Sequence, residues 1–525
     1  MSQQTKYKRT AWLLASVVIV AVIALLFFSL PKQASSSSGG LPIIHLAGGN
    51  VGAPSPFGSI SPGSSTHSDL IFDGLLENDE NGVVPWLAKS WEISPDGLTY
   101  VFHLRNRVRW HDGQPFSAQD VAFTFNFFRT YPQPRNELMV DAHYIVENAE
   151  ALDDTTVRLT VDGASSIYLA KIGSVNIIPR HIWEGVKDPL KVPPEKASIG
   201  TGPFRFTAFS SQHGTYRLDA FPGFWGPKAV VAAVEWIPVG DQVLAFESGT
   251  IDLISVGPDL AARYRGNPEF KISEGHNHSG CRLVFNLRQR PELKDKTIRQ
   301  AFAYGTNREE MVEKLARGAG AVGSAGSIPA DHPFYNPKAA PYPFDLDKAR
   351  QLLAERTFTF DILARNNMDE IKVAELMKIT LAKIGITLNV RSLDGKTRNQ
   401  ILHTGKYDLA LYKSGFGGDP DYLRTSYGAP KTEKGLGGNT VGYYNDTLYH
   451  LGRQSLRELD TAKRRVILNQ MQEVVAEEVP QLILYTIIEN YVYRPARFNG
   501  WRFRSDRLRN TSDMYKLSFL EDWKG

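Results

Sequence analysis

"LTYVFHLRNRVRWHDGQPFSAQDVAFTF", residues 98–125, decides how the first half of this chain is built. Tyr100, Phe102 and Leu104 alternate with Thr99, Val101, His103 and Arg105, the period of a half-buried strand. Asp112-Gly113 and Pro115 supply turn residues. Ser117 then has the chemistry of a helix N-cap, with Asp120 three residues on to favour the amide-rich end. Phe116 and Val121 occupy the two positions of a hydrophobic staple. The pair His111-Asp112 thus falls at the tip of a strand–turn–helix unit. A metal-dependent hydrolase would need further ligands at fixed spacing, and His103 and His143 do not provide them. The reading is a structural turn.

The C-terminal half reads as α/β by the same logic. "FTFDILA" (358–364) is a strand, "DEIKVAELMKITLAKIG" (369–385) an amphipathic helix closed by Gly385, and "ITLNVRSL" (386–393) a second strand. That order implies a parallel crossover. "YDLALYKSGF" (407–416) makes a third strand, and one long helical stretch is expected from Thr447 to about Glu478. "TVRLTVDG" and "TYRLDAF" add strands between 150 and 260. No tandem repeat period is visible, which argues against a solenoid.

A chain of 525 residues carries roughly three to four domain-sized units. Its 42% hydrophobic and 22% charged content is that of a globular core-former. Of a formal charge of +4, Lys6, Lys8 and Arg9 supply three, which leaves no basic face for nucleic acid. Those three precede "AWLLASVVIVAVIALLFFSL" (11–30), which has the length of a membrane span rather than of a secretory signal's apolar region. A retained anchor, or alternatively a long cleaved signal, is the expectation. Residues 1–10 would be cytoplasmic, 31–40 a flexible tether, and the body exported. The single cysteine, Cys281, permits no internal disulfide.

Other motifs are weaker. "GAGAVG" (318–323) fits a dinucleotide fingerprint but follows a helix and enters a loop, the reverse of the required context. "GKT" (395–397) has Val390 where a phosphate loop needs glycine. No G-x-S-x-G elbow occurs. "EGHNHSGC" (274–281) brings His276, His278 and Cys281 together as a weak metal candidate, with a polar inter-lobe connection as the alternative. In "GFGGDPDYLRTSYG" (415–428), Gly415 and Gly418 let a ligand approach the backbone, and Phe416, Tyr422 and Tyr427 offer walls. Asp419 and Asp421 offer carboxylates to a ligand ammonium group or, as the alternative, cap a tight turn. Asp421 is the expected ligand contact and Asp419, next to Pro420, the turn former.

"LAKSWEISPDGLTYVFHLRNRVRWHDGQPFSAQDVAFTF" (87–125) resembles the signature segment of family 5 extracellular solute-binding proteins, the peptide and nickel receptors of ABC-type importers. "GTGPFRFTAF" (200–209), residues 221–254, "LVFNLRQRPELKDKTIRQAFAYGTNREEMVEKL" (283–315) and residues 334–355 resemble the family's later blocks in order. The resemblance implies an α/β, bilobed periplasmic-binding-protein-like clamshell with an extra accessory domain. Lobe I would combine 41–84, 199–280 and 491–525, with the accessory domain at 85–198 and lobe II at 281–490. It implies a non-enzymatic, monomeric receptor without a cofactor, partnered by permease and ATPase subunits. Peptide is the leading ligand class, with a sugar oligomer, opine or nickel chelate as alternatives. A ligand sensor for a membrane receptor is a further reading. In the family's peptide receptors a loop acid ahead of the Asp-Pro pairs with the peptide's α-amino group. This loop is shorter and lacks that acid.

Overall fold

The strand–turn–helix unit forms as its pattern dictates. Thr99–Leu104 is a strand with Tyr100, Phe102 and Leu104 buried. Ser117 caps helix Ala118–Thr130 in a full capping box: its Oγ accepts from the Gln119 N–H, and Asp120 accepts from the Ser117 N–H at 2.9 Å. Such a cap contributes about 1 kcal/mol. Phe116 and Val121 are both buried, as a staple requires. The computed structural model describes residues 40–48, 54–58, 64–79, 82–133, 138–140, 143–210, 212–274, 279–339, 341–415, 419–428, 442–488, 490–503 and 516–522. The candidate anchor 11–30, His276 and His278 lie outside them. No described helix is long and apolar enough to cross a membrane.

Strand Thr99–Leu104 sits in a four-stranded antiparallel sheet between Ala88–Ile93 and Thr156–Val161, with Val146–Ala151 beyond. A second four-stranded sheet places Ile43–Ala47 parallel to Ala233–Ile237, followed by Thr215–Ala220 and Phe204–Ser210. Asn490–Tyr493 lies between Leu253–Val256 and Lys271–Glu274 in a third sheet. The largest sheet has six strands in the order Gly320–Val322, Gln481–Ile487, Ser279–Phe285, Leu409–Gly415, Phe358–Arg365, Ile386–Leu393. Within it, Phe358–Arg365 runs parallel to both Ile386–Leu393 and Leu409–Gly415. Helix Met368–Ala382 makes the expected crossover, and Gly385 takes a left-handed φ of +89° before the next strand.

Each large sheet has its own apolar core. Leu283, Phe285, Ile362 and Leu409 belong to one, Trp86, Phe102, Trp110 and Phe125 to another, and Ile44, Leu218, Trp236 and Phe519 to a third. The single helix expected over 447–478 is two, Asp446–Arg457 and Thr461–Glu478. Asp460 accepts from the Lys463 N–H and starts the second helix afresh, which explains the break. "GAGAVG" contributes strand Gly320–Val322, paired antiparallel with Gln481–Ile487. "GKT" opens helix Gly395–Thr404 under the cap of Asp394.

Candidate functional site

Parallel strands direct their carboxyl ends to one edge of the six-stranded sheet, the favoured place for a ligand crevice. Phe358–Arg365, Ile386–Leu393 and Leu409–Gly415 all end there. Helices Met368–Ala382 and Gly395–Thr404 begin at the same edge, capped by Asn367 and Asp394. Glu370 and Arg398 brace this corner as a buried ion pair at 3.3 Å, and Glu370 also accepts the Arg365 N–H at 2.6 Å. The Arg365 side chain is exposed and lies across Gly395, where an added Cβ would come within 2.7 Å of its Nη2. Its guanidinium has no ion-pair partner among the described residues.

The glycine-rich loop leaves this edge at Gly415, whose carbonyl accepts from Arg282 at 3.4 Å. Phe416 and Gly418 lie outside the described residues. Asp419 accepts the Asp421 N–H at 2.9 Å, the geometry of a turn former, and receives both Nη atoms of Arg464 at 2.7 Å. Asp421 holds Arg424 through Nε at 2.7 Å and Nη2 at 2.9 Å. Arg464 and Arg424 are buried, so both carboxylates are engaged by dry guanidinium groups. Tyr422 donates its hydroxyl to the Ser327 carbonyl at 2.7 Å, and burial raises its pKa. Tyr427 is fully buried with its hydroxyl against Gln481 and Ser327, and burial pushes its pKa up to about 12. Ser327 holds these two tyrosines from a left-handed φ of +63°, a conformation that is costly for a side chain with a Cβ.

Arg365, Arg424, Arg464 and Ser327 escaped the sequence reading. The Asp421–Arg424 spacing of one helical turn was a usable signal. Nothing local announces Arg464, 45 residues from Asp419. Cys281 is buried, with its thiol pushed up to about 12 by desolvation, which makes it inert.

His111 and Asp112 fall in the turn after Trp110. The His111 ring is buried: Nδ1 accepts the Gly200 N–H at 3.2 Å and Nε2 donates to the Gly202 carbonyl at 3.0 Å. Burial lowers its pKa despite the Gly202 bond. Asp112 accepts the Gln114 N–H at 3.1 Å and meets His181 Nε2 at 2.8 Å. Among the described residues no group of three or more His, Cys, Asp or Glu side chains could hold a metal ion.

Residues 82–434 match the profile of the bacterial extracellular solute-binding proteins, family 5 Middle. The dipeptide-binding protein of Escherichia coli is 26% identical over 455 residues, 79% of this chain and 82% of that protein. Di/tripeptide-binding protein 3 of Pseudomonas aeruginosa is also 26% identical, over 89% of this chain and 95% of its own length. The crystal structure of an ABC transporter substrate-binding protein from Listeria monocytogenes is similar with a TM-score of 0.80 at 25% identity, covering 92% of this chain and 99% of that one.

Proposed function

This chain belongs to the bacterial extracellular solute-binding proteins, family 5, and from that premise we propose that it captures peptides between two lobes outside the cytoplasm and delivers them to an ABC importer. Its mixed α/β fold is that of the multi-domain solute-binding structures. The lobe assignment (41–84, 199–280 and 491–525; 85–198; 281–490) is supported by sheets that join distant segments of the first lobe, Ile43–Ala47 with Ala233–Ile237 and Leu253–Val256 with Asn490–Tyr493. Residues 11–30 serve as anchor or export signal, and permease and ATPase subunits are the partners.

The observation that carries the peptide reading is Arg365. An exposed guanidinium at the carboxyl-end edge of a sheet suits a bidentate, charge-assisted contact to a ligand carboxylate. We assign the glycine-rich loop, which leaves the same edge at Gly415, as a second wall of the ligand site. Gly415 is the proposed point of close backbone approach, while Asp419, Asp421, Tyr422 and Tyr427 set the loop's shape through Arg464, Arg424 and Ser327. Two relatives are named for binding dipeptides and di- or tripeptides, which supports ligands of that size.

Mass spectrometry of co-purifying small molecules identifies candidates, and calorimetry with a di- and tripeptide panel measures them. Arg365→Gln should weaken the best peptide by roughly ten- to a hundredfold, the value of a hydrogen bond to a charged group. Amidating that peptide's carboxylate should cost a similar factor. An amidated peptide that binds as tightly as the free acid would remove the carboxylate from the recognition scheme.

A further inference from the structure

A pocket of about 250 Å³ lies beside the small sheet of Leu253–Val256, Asn490–Tyr493 and Lys271–Glu274. Glu247, Arg263, Tyr264, Glu269, Phe270 and Arg494 line it. None of these residues belongs to the edge that carries Arg365 or to the glycine-rich loop. The lining is assembled from separate stretches of chain. Glu247 ends helix Gln242–Glu247, Arg263 and Tyr264 end helix Pro258–Tyr264, and Arg494 directly follows strand Asn490–Tyr493. An apolar core that includes Phe246, Ile254, Tyr264 and Val492 holds these pieces together.

Aromatic rings and one arginine fix its shape. Tyr264 and Phe270 meet edge to face at 5.0 Å, and Phe246 packs against them at 5.8 and 5.6 Å. The Arg494 guanidinium lies over Phe246 at 4.5 Å and Phe270 at 5.0 Å, where the ring faces attract a cation. Its Nε donates to Glu269 Oε1 at 3.0 Å, and Nη1 and Nη2 donate to the Phe246 and Glu247 carbonyls at 2.7 and 3.2 Å. Glu247 Oε1 accepts from the Tyr264 hydroxyl at 3.1 Å and from Arg263 Nη2 at 3.0 Å. Burial and this acid raise the Tyr264 pKa, so the hydroxyl stays a donor.

These contacts leave unused capacity of both signs. Oε2 of Glu247 and Oε2 of Glu269 accept no hydrogen bond from the described residues, and Arg263 Nε and Nη1 donate none to them. Two glutamates against two arginines give the lining no net charge. A simple cation is drawn by the acids and opposed by the arginines, and a simple anion the reverse. A ligand with one charge of each sign matches both: an ammonium group at the free carboxylate oxygens and a carboxylate at the free donors of Arg263. An apolar side chain on that ligand would cover Tyr264 and Phe270. The pocket holds the volume of roughly eight waters, below the range of about 300–1,000 Å³ that suits drug-sized ligands. It has room for a free amino acid and not for an oligopeptide.

We propose that this pocket is a second ligand site, for a free zwitterionic amino acid with an apolar side chain. Glu247 and Glu269 take its ammonium group and Arg263 its carboxylate. Arg494 is a positioning residue, holding Glu269 through Nε and the Glu247 carbonyl through Nη2. The site shares no residue with the proposed peptide site and stands independently of it.

The test uses L-leucine as probe and full-length protein carrying a nitroxide on Leu244→Cys or on Met368→Cys, both exposed sites, with native Cys281 buried and unlabelled. Leu244 shares a helix with Glu247, whereas Met368 starts the helix that follows Arg365. The Leu244 label should enhance the relaxation of leucine protons in nuclear magnetic resonance, and the Met368 label should not. In titrations without labels, Arg263→Gln and Glu269→Gln should each weaken leucine about tenfold, the lower end for a hydrogen bond to a charged group, while Arg365→Gln leaves it unchanged. Arg263 is 57% exposed and Glu269 59%, so both variants should fold with the parent's melting temperature. Leucinamide and N-acetylleucine, each lacking one charge, should bind at least tenfold more weakly than leucine. Absence of leucine binding to the parent overturns the proposal, as does relaxation enhancement confined to the Met368 label. Unchanged affinity in either pocket variant, or leucinamide or N-acetylleucine binding as tightly as leucine, overturns it as well. No readout here depends on peptide, so a failure of peptide binding in calorimetry is scored separately.

Discussion

Replacing Asp421 with Asn separates a ligand contact from a structural ion pair. Arg424 is 1% exposed and Asp421 17%, joined at 2.7 Å through Nε, so the guanidinium is dry while its partner keeps one side toward solvent. Removing one partner of a fully buried pair costs about 3–5 kcal/mol, and an exposed pair contributes about 0–1 kcal/mol. Asn retains one acceptor oxygen for Nε, which recovers about 1 kcal/mol. The expected loss for Asp421→Asn is therefore about 2 kcal/mol, read by urea denaturation. Peptide affinity per folded molecule should stay within about twofold, since it is the shape of the loop and not a free charge that the carboxylate maintains. Adding Arg424→Met to the same chain should restore most of the stability, because an apolar replacement of a buried pair is often neutral. The reasoning is refuted if Asp421→Asn keeps its stability and weakens a peptide with a free amino terminus by ten- to a hundredfold. That result would mean that the carboxylate faces a ligand ammonium group.

Stability should rise with pH through the range set by His111. Its folded pKa lies below the unfolded value of about 6.5, so the unfolded state binds more protons as pH falls. The contribution is complete above about 6.5 and is lost below it, at no more than about 1.4 kcal/mol per pH unit, until the folded pKa is passed. His111→Gln should flatten this part of the profile between pH 7.5 and 5 without loss of peptide binding; an unaltered slope would assign it to other groups. Lys516 lies 1% exposed between Asp73 at 3.0 Å and Glu77 at 2.7 Å, with Trp86 beneath its ammonium group. Lys516→Met should cost about 3–5 kcal/mol by taking the one ammonium group away from two buried carboxylates, and a loss under 1 kcal/mol in urea denaturation would contradict the pairing. If residues 11–30 form a retained span, native protein should stay with membranes through high-salt and carbonate washes and keep its N-terminal residues; a soluble species beginning near Ser35 would identify a cleaved signal.

Short-range chemistry sets the local units. Alternation fixed strand Thr99–Leu104, Ser117 and Asp120 fixed the start of the following helix, and the strand–helix–strand pattern over 358–393 fixed a parallel crossover. It also placed the glycine-rich loop at the end of strand Leu409–Gly415, at the edge where parallel strands finish. These features depend on residues within a few turns of one another, where period and capping chemistry leave one favourable conformation. Which groups meet follows from long-range packing. Asp421 pairs with a neighbour one turn away, but Asp419 is taken by Arg464 and Asp73 by Lys516, 443 residues distant. Ile43–Ala47 lies beside Ala233–Ile237, not beside the strands that follow it in the chain. The local pattern specifies that a carboxylate or a strand edge needs a partner. Which partner arrives depends on how the sheets close over their separate cores, and that closure brings two arginines onto the loop acids and leaves Arg365 open at the edge of the sheet.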